Sequence, residues 1–295
     1  LTEGELSPGG AQDGAFVGGV AGYLRGYVEF SQCYNTADVW MSPRNWCGDE
    51  AYLGGIAGFS DSSISDCYNL GDVGTGSANS GPYRSMVCGG IVGQYALGSS
   101  GKVYTISNCY NSGSVIARAH GTGYAGGIVG HVVKNSASLY LDGCVALCPQ
   151  VGVYYDYMMG STGGSGPFES NVLGNDISVS SDYRNYYWED IQSVGYDVPA
   201  GKPSYSSEVR TRYITDGSWY GDRGWDMGGI WTIDETQNDG LPYFAWVTDG
   251  FQLLDYKDGE VELYSRLRAE QLTLCAASYD DDGRLLDTAL TTVAP

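Results

Sequence analysis

The sequence predicts an all-β protein: a right-handed parallel β-helix (β-solenoid), an aromatic-rich C-terminal cap and a short β-sandwich-like C-terminal segment. The first observation behind this prediction is a glycine motif, Gly-Gly-x-x-Gly, that occurs four times at steps of 35 to 37 residues. Its copies directly follow Val17, Leu53, Cys88 and Ala125. A second motif, an apolar residue, two polar or small residues and a cysteine, ends at Cys33, Cys67, Cys109 and Cys144. Short motifs that return in a fixed order are typical of stacked repeats.

Each repeat is predicted to contain three short strands, because its motifs are apolar or β-branched and are separated by turn residues. Stacking at about 4.8 Å would align equivalent residues in ladders. The predicted ladders are Val20, Ile56, Ile91 and Ile128; the four cysteines of the second motif; and Asn35, Asn69 and Asn111. Ile106 and Cys109 are three residues apart, so a corner or bulge is expected between them if both point inward.

The motifs also carry a family resemblance. Gly-Gly-Ile-Val-Gly, followed by Asn-Cys-Tyr-Asn-Ser-Gly-Ser-Val at residues 108–115, resembles the GLUG repeat of bacterial surface proteins. That repeat also occurs in large bacterial peptidases that cleave immunoglobulin A, outside their catalytic part. The resemblance covers residues 15–148. It implies a β-helical protein that is extracellular or on the bacterial cell surface, with the repeats acting as a stalk or adhesive scaffold and without enzyme activity.

Three segments follow from the distribution of these motifs. Residues 1–149 are predicted to hold the regular repeats, since the fourth copy departs from the pattern near Cys148 and terminal repeats are atypical. Residues 150–247 are predicted to hold the last repeats and the aromatic cap, with a serine-capped helical turn at residues 206–212. Residues 248–295 are predicted to form four strands around a turn at residues 280–283. This segment is either a shortened sandwich module or a set of strands docked on the cap.

Composition restricts the possible partners. The chain has 35 acidic against 15 basic residues and a formal net charge of −20, which disfavours nucleic acid. It has no apolar run of about 18 residues, so no transmembrane segment is predicted. It begins without a signal peptide or a methionine, and we therefore expect a fragment of a longer exported precursor.

The cysteines and histidines do not favour a metal or cofactor site. Four of the eight cysteines occupy ladder positions, where each behaves as a small buried hydrophobic residue. Disulfides between ladder neighbours stay open, because their geometry is demanding. The chain has no Cys-x-x-Cys motif, and its histidines are His120 and His131. No metal and no cofactor are therefore predicted.

The residue types in the chain favour binding over catalysis. No catalytic residues are predicted, although carboxylates crowd the aromatic segment at Asp222, Asp226, Asp234, Glu235 and Asp239. Trp219, Tyr220 and Trp225 are the candidate ligand-binding residues, since aromatic rings stack on sugars; alternatively they form the core of the cap. The sequence thus predicts a non-catalytic, adhesin-like scaffold that binds a host or microbial surface glycan or protein. The alternatives are a glycan-binding module and a β-helical glycan-active hydrolase or lyase.

Overall fold

The computed structural model divides the chain into two compact units, Leu1–Tyr243 and Phe244–Pro295. It describes residues 15–26, 29–41, 50–75, 85–96, 103–119, 122–133, 138–155, 168–170, 184–195, 206–248, 251–257, 260–265, 272–279 and 285–293. The described part is mostly strands, with a few short helices, and belongs to the all-β class.

The first unit begins with four repeats, each of five short strands rather than the three predicted. The first repeat has β1 Ala15–Gly18, β2 Ala21–Leu24, β3 Glu29–Ser31, β4 Tyr34–Asn35 and β5 Val39–Met41. The second has β6 Glu50–Gly54, β7 Ala57–Ser60, β8 Ser63–Ser65, β9 Tyr68–Asn69 and β10 Val73–Thr75. The third has β11 Ser85–Gly89, β12 Val92–Ala96, β13 Val103–Ser107, β14 Tyr110–Asn111 and β15 Val115–Ala119. The fourth has β16 Thr122–Gly126, β17 Val129–Val133, β18 Ser138–Asp142, β19 Val145–Ala146 and β20 Gln150–Tyr155.

Each strand pairs in parallel with the same strand of the next repeat. The sheets run β1-β6-β11-β16, β2-β7-β12-β17, β3-β8-β13-β18, β4-β9-β14-β19 and β5-β10-β15-β20. The register follows the sequence motifs: Cys88 aligns with Leu53 on one side and with Ala125 on the other. The repeated residues are therefore structural equivalents, as the motif spacing predicted.

The predicted isoleucine ladder is confirmed. The amide of Ile56 donates to the carbonyl of Ile91 at 3.0 Å, and the amide of Ile91 donates to that of Ile128 at 2.9 Å. These three side chains are fully buried, whereas Val20, at the first repeat, is 43% exposed. Stacking thus buries each rung that lies between two neighbours, whereas Val20 is stacked against a neighbour on one side among the described residues.

The cysteine corner is also confirmed. The residue before each ladder cysteine has a positive φ, at Gln32, Asp66, Asn108 and Gly143. This turn lets Ile106 and Cys109 both point inward, and both are fully buried. Free thiols are present at Cys33, Cys67, Cys88, Cys109, Cys144 and Cys148.

The paired glycines are explained by backbone crowding. Neither Gly89 nor Gly90 has a positive φ. A Cβ added at Gly89 would meet the carbonyl oxygen of Val92, and one at Gly90 would meet the carbonyl of Gly127 and the side chain of Asn111. The turn and the neighbouring repeat therefore leave no room for a side chain.

The sheets continue past residue 149, into the segment that was predicted to hold the last repeats. They do so through β21 Phe168–Ser170, β22 Tyr186–Trp188, β23 Gln192–Gly195 and β24 Ser207–Val209. Asn185 precedes β22 and takes the position that cysteine holds in earlier repeats. Its Oδ1 accepts from the amide of Cys144 at 3.1 Å, and its Nδ2 donates to the carbonyl of Leu141 at 2.8 Å. An amide that bonds the previous corner thus replaces the thiol, which hides the continuation from a cysteine-based pattern.

Short elements follow β24. They are α1 Thr211–Ile214, α2 Gly217–Gly221, β25 Trp231–Thr232, a 3-10 turn at Asn238–Gly240, and β26 Tyr243–Phe244. The predicted serine-capped helical turn at residues 206–212 is wrong: its serines belong to or border β24, and α1 begins after Arg210 without a side-chain cap. No helix in the described part of the chain is long and apolar enough to cross a membrane.

The second unit contains α3 Ala245–Thr248 and two antiparallel hairpins. They are formed by β27 Phe251–Lys257 with β28 Glu260–Ser265, and by β29 Leu272–Tyr279 with β30 Leu285–Val293. The four predicted strands are therefore confirmed, while the predicted turn at residues 280–283 lies outside the described residues. The division into segments 1–149, 150–247 and 248–295 stays a prediction.

Candidate binding groove

The three aromatic residues predicted to bind a ligand lie together in and after α2. The ring centroids of Trp219 and Tyr220 are 4.9 Å apart, those of Tyr220 and Trp225 are 4.8 Å apart, and Trp225 lies 4.6 Å from Trp231. Trp219, Tyr220 and Trp225 are 7%, 0% and 3% exposed. They form an aromatic core, and the binding role given to them by the sequence stays a prediction.

This aromatic core packs against the repeats through a tyrosine ladder. Tyr34, Tyr68 and Tyr110 stack along the β4-β9-β14 sheet with ring centroids 5.0 and 5.2 Å apart. The ring centroid of Trp231 lies 5.8 Å from that of Tyr68 and 6.1 Å from that of Tyr110. The aromatic cap therefore covers the outer face of this sheet, in addition to following the last repeats.

Buried hydrogen bonds fix the position of the cap. Trp225 Nε1 donates to the carbonyl of Gly143 at 2.9 Å. The hydroxyl of Tyr110 donates to the carbonyl of Pro242 at 2.6 Å and lies 2.7 Å from Asn238 Nδ2. Because buried polar groups are costly without partners, these bonds specify one placement of the cap on the repeats.

A groove of about 540 Å³ lies beside this core, between the last strands and α1 and α2. The buried side chain of Val209 lines it from β24, and Tyr186 lines it from β22. Among the predicted aromatic residues only Trp219 reaches the groove. Its size falls within the range of small-ligand sites.

Arg223 is held against two aromatic rings of the groove. Its guanidinium carbon lies 4.1 Å from the ring centroid of Trp219 and 5.0 Å from that of Tyr186. Its Nη1 donates to the carbonyl of Trp219 at 2.7 Å. Its Nε is buried and has no hydrogen-bond partner among the described residues. Cation–π contacts and one hydrogen bond therefore orient this guanidinium without neutralising its charge.

Two more arginines line the groove near α1. Arg212 lies 4.6 Å above the ring centroid of Tyr213, and its Nη2 lies 2.7 Å from the Tyr213 hydroxyl. Arg210 is exposed at the start of the helix. A nearby carboxylate, Glu189, accepts from the amide of Thr211 at 2.7 Å. That hydrogen bond, followed by the charges of Arg210 and Arg212, lowers the pKa of Glu189.

The carboxylates noted in the sequence do not form one cluster in the groove. Asp222 lines the groove together with Glu208. Asp234 instead accepts hydrogen bonds from the hydroxyl and the amide of Thr236, which lower its pKa. Among the described residues there is no group of three or more His, Cys, Asp or Glu placed to hold a metal ion.

Sequence reasoning missed the arginines of this groove. Arg210, Arg212 and Arg223 are three of the five basic residues between positions 150 and 247. Their closeness along an otherwise acidic chain was the sequence feature that could have indicated a site for a negatively charged ligand. The structure makes it informative by placing all three around one groove.

Comparisons with known proteins bear on the fold. No family model and no curated protein matches the sequence. The crystal structure of a putative immunoglobulin A1 protease from Bacteroides ovatus is similar, with a TM-score of 0.52 and 20% sequence identity. The match covers 80% of this chain and 65% of that chain. At this identity the likeness shows the fold alone.

The comparison contradicts the expectation that the chain is not an enzyme, since a structure of similar fold carries the name of a protease. The resemblance to the GLUG repeat is not accompanied by a family match, and it stays an interpretation of the motifs.

Proposed function

We propose that the chain is an adhesin-like scaffold, part of a secreted or cell-surface bacterial protein, that binds a surface glycan or protein. In this proposal the repeats form a right-handed parallel β-helix. The in-register parallel pairing of all five strands supports it, as does the strong preference of parallel crossovers for the right hand. A scaffold of this kind keeps its repeated residues for stacking and carries binding on the surfaces that vary.

The observation that supports a binding role most directly is the set of arginines in the groove. A chain with 35 acidic and 15 basic residues places three arginines around a single concavity of about 540 Å³. Guanidinium groups stacked on aromatic rings are held in a fixed orientation and still offer several donors. Such an arrangement is suited to recognising a polar ligand.

The proposed location is supported by composition and by the comparison. An acidic surface is usual for a solvated extracellular protein. The protease name of the similar Bacteroides structure refers to immunoglobulin A1, which is compatible with a protein that works outside the cell.

Binding of the purified chain to arrays of host and microbial glycans and surface proteins tests this function. We expect at least one ligand whose signal is lost in Arg212→Gln and kept in Arg25→Gln, because Arg25 is an exposed arginine of the first repeat. Absence of any ligand, or binding that is indifferent to Arg212, would overturn the proposed function.

A further inference from the structure

Resting on this function, we propose that the groove binds an acidic carbohydrate, with the carboxylate of one sugar held between Arg223 and the two arginines at α1, Arg210 and Arg212. The class of ligand follows from the donors, the acceptors and the size of the groove.

The donors favour a carboxylate. Arg223 lines the groove, and Trp219 and Tyr186 hold its guanidinium in place without neutralising its charge. A planar guanidinium pairs with a carboxylate through parallel hydrogen bonds. Arg212, oriented by Tyr213, lines the same groove. A carboxylate placed there supplies the negative charge and the acceptors that these groups can use.

The acceptors favour a sugar over a strongly anionic ligand. Glu208 and Asp222 line the same groove, and both are acceptors when ionised. They repel a ligand that carries many negative charges, such as an acidic peptide run or a polyphosphate. Hydroxyl groups beside a single carboxylate satisfy both sets of residues at once, because the hydroxyls donate to Glu208 and Asp222.

The size and the aromatic rings are consistent with a short saccharide. About 540 Å³ lies within the range that small ligands occupy. Tyr186, Tyr213 and Trp219 line the groove beside its polar groups, so a saccharide ring meets apolar as well as polar contacts there.

Calorimetric titration of the full chain at low ionic strength tests this inference. The probes are a disaccharide with a single galacturonate and a sialylated lactose, which each carry one carboxylate on a different sugar, with lactose and an oligoglutamate peptide for comparison. We expect one or both acidic sugars to bind with a Kd that rises at least tenfold in Arg212→Gln and is unchanged in Arg25→Gln. Weakening by added salt is also expected.

The alternatives have distinct outcomes. Equal binding of lactose, or binding of oligoglutamate in place of the acidic sugars, would overturn the carboxylated sugar and leave the proposed function standing. If neither acidic sugar binds while an array ligand still depends on Arg212, the carboxylated sugar is again overturned and the proposed function stands. Absence of every array ligand would overturn both. A thermal melt of Arg212→Gln that matches the parent shows that lost binding is local, and Arg210→Gln provides a second groove variant if it does not.

Discussion

Trp231 Nε1 donates a buried hydrogen bond of 3.1 Å to the carboxylate of Asp66, although 165 residues separate them. Asp66 is the corner residue before Cys67 and has a φ of 50°. The same carboxylate oxygen also accepts from Asn108 Nδ2 at 3.3 Å. The aromatic cap is therefore tied to the corner that the repeats use for stacking, and the stability of the two parts is coupled.

Replacing Trp231 by phenylalanine removes this hydrogen bond while keeping an aromatic ring. We expect the free energy of unfolding to fall by about 1–3 kcal/mol, because the buried carboxylate loses one donor and packing volume is lost. Urea unfolding measures the change. Trp40→Phe is the matched control, since Trp40 is 52% exposed and should change stability little. Equal effects of the two changes would contradict the coupling.

The asparagine ladder gives a second prediction. Asn69 Nδ2 donates to Asn111 Oδ1 at 2.7 Å and to the carbonyl of Gly71 at 2.6 Å, and Asn35 donates to Asn69 Oδ1 at 2.7 Å. Asn69→Ala removes one hydrogen bond from each of two buried groups, Asn35 Nδ2 and Asn111 Oδ1, and one donor from the Gly71 carbonyl. We expect a loss of about 2–4 kcal/mol, roughly two such groups. Thermal or urea unfolding measures this loss. Gln192→Ala is the control, because the Gln192 side chain is exposed and its removal should change stability little.

Glycine crowding gives a third prediction. Gly90→Ala should destabilise by at least about 1–3 kcal/mol, because its Cβ meets backbone of the next repeat and the side chain of Asn111. Gly217→Ala is the control. A Cβ at this position makes only ordinary van der Waals contact with Met227, and alanine favours a helix such as α2 more than glycine does. The control should leave the melting temperature unchanged or raise it. An unchanged melting temperature for Gly90→Ala would contradict the crowding.

The ladders were predictable from the sequence, whereas the number of strands and the groove were not. Identical residues at a fixed spacing, such as Ile56 and Ile91, report stacking directly. The strand Tyr110–Asn111 is only two residues long, so it leaves no alternating pattern. Arg212, in α1, and Arg223, just after α2, line one groove because these short helices lie beside the last strands. No local period encodes that packing.

Thiol accessibility gives a fourth prediction. Cys67 and Cys109 are fully buried, whereas Cys33, on the first repeat, is partly exposed. Burial, first among the causes, raises the pKa of Cys109 well above its usual value and keeps the thiol protonated. With a maleimide at neutral pH, we expect Cys33 to be labelled first of these three, as read by peptide mass spectrometry. All three should react after denaturation. Rapid labelling of Cys109 in the native protein would contradict the inward orientation of its side chain at the corner.

Stability should fall at alkaline pH. Burial raises the pKa of the Cys109 thiol and of the Tyr110 hydroxyl in the folded state, and it also raises that of Tyr220. Unfolded thiols and phenols lose their protons near pH 8.5 and 10, so above these values the unfolded state binds fewer protons than the folded state. The free energy of unfolding then decreases as pH rises.

Urea unfolding at pH 7.5, 9 and 10.5 measures this dependence. We expect a lower midpoint at each step, with little change in the denaturant slope. Tyr110→Phe provides the control: it removes one buried phenol, so its smaller stability should decline less between pH 9 and 10.5 than that of the parent. A midpoint that stays constant or rises over this range would contradict the burial of these groups, because an exposed phenol or thiol has the same pKa in both states and contributes no slope.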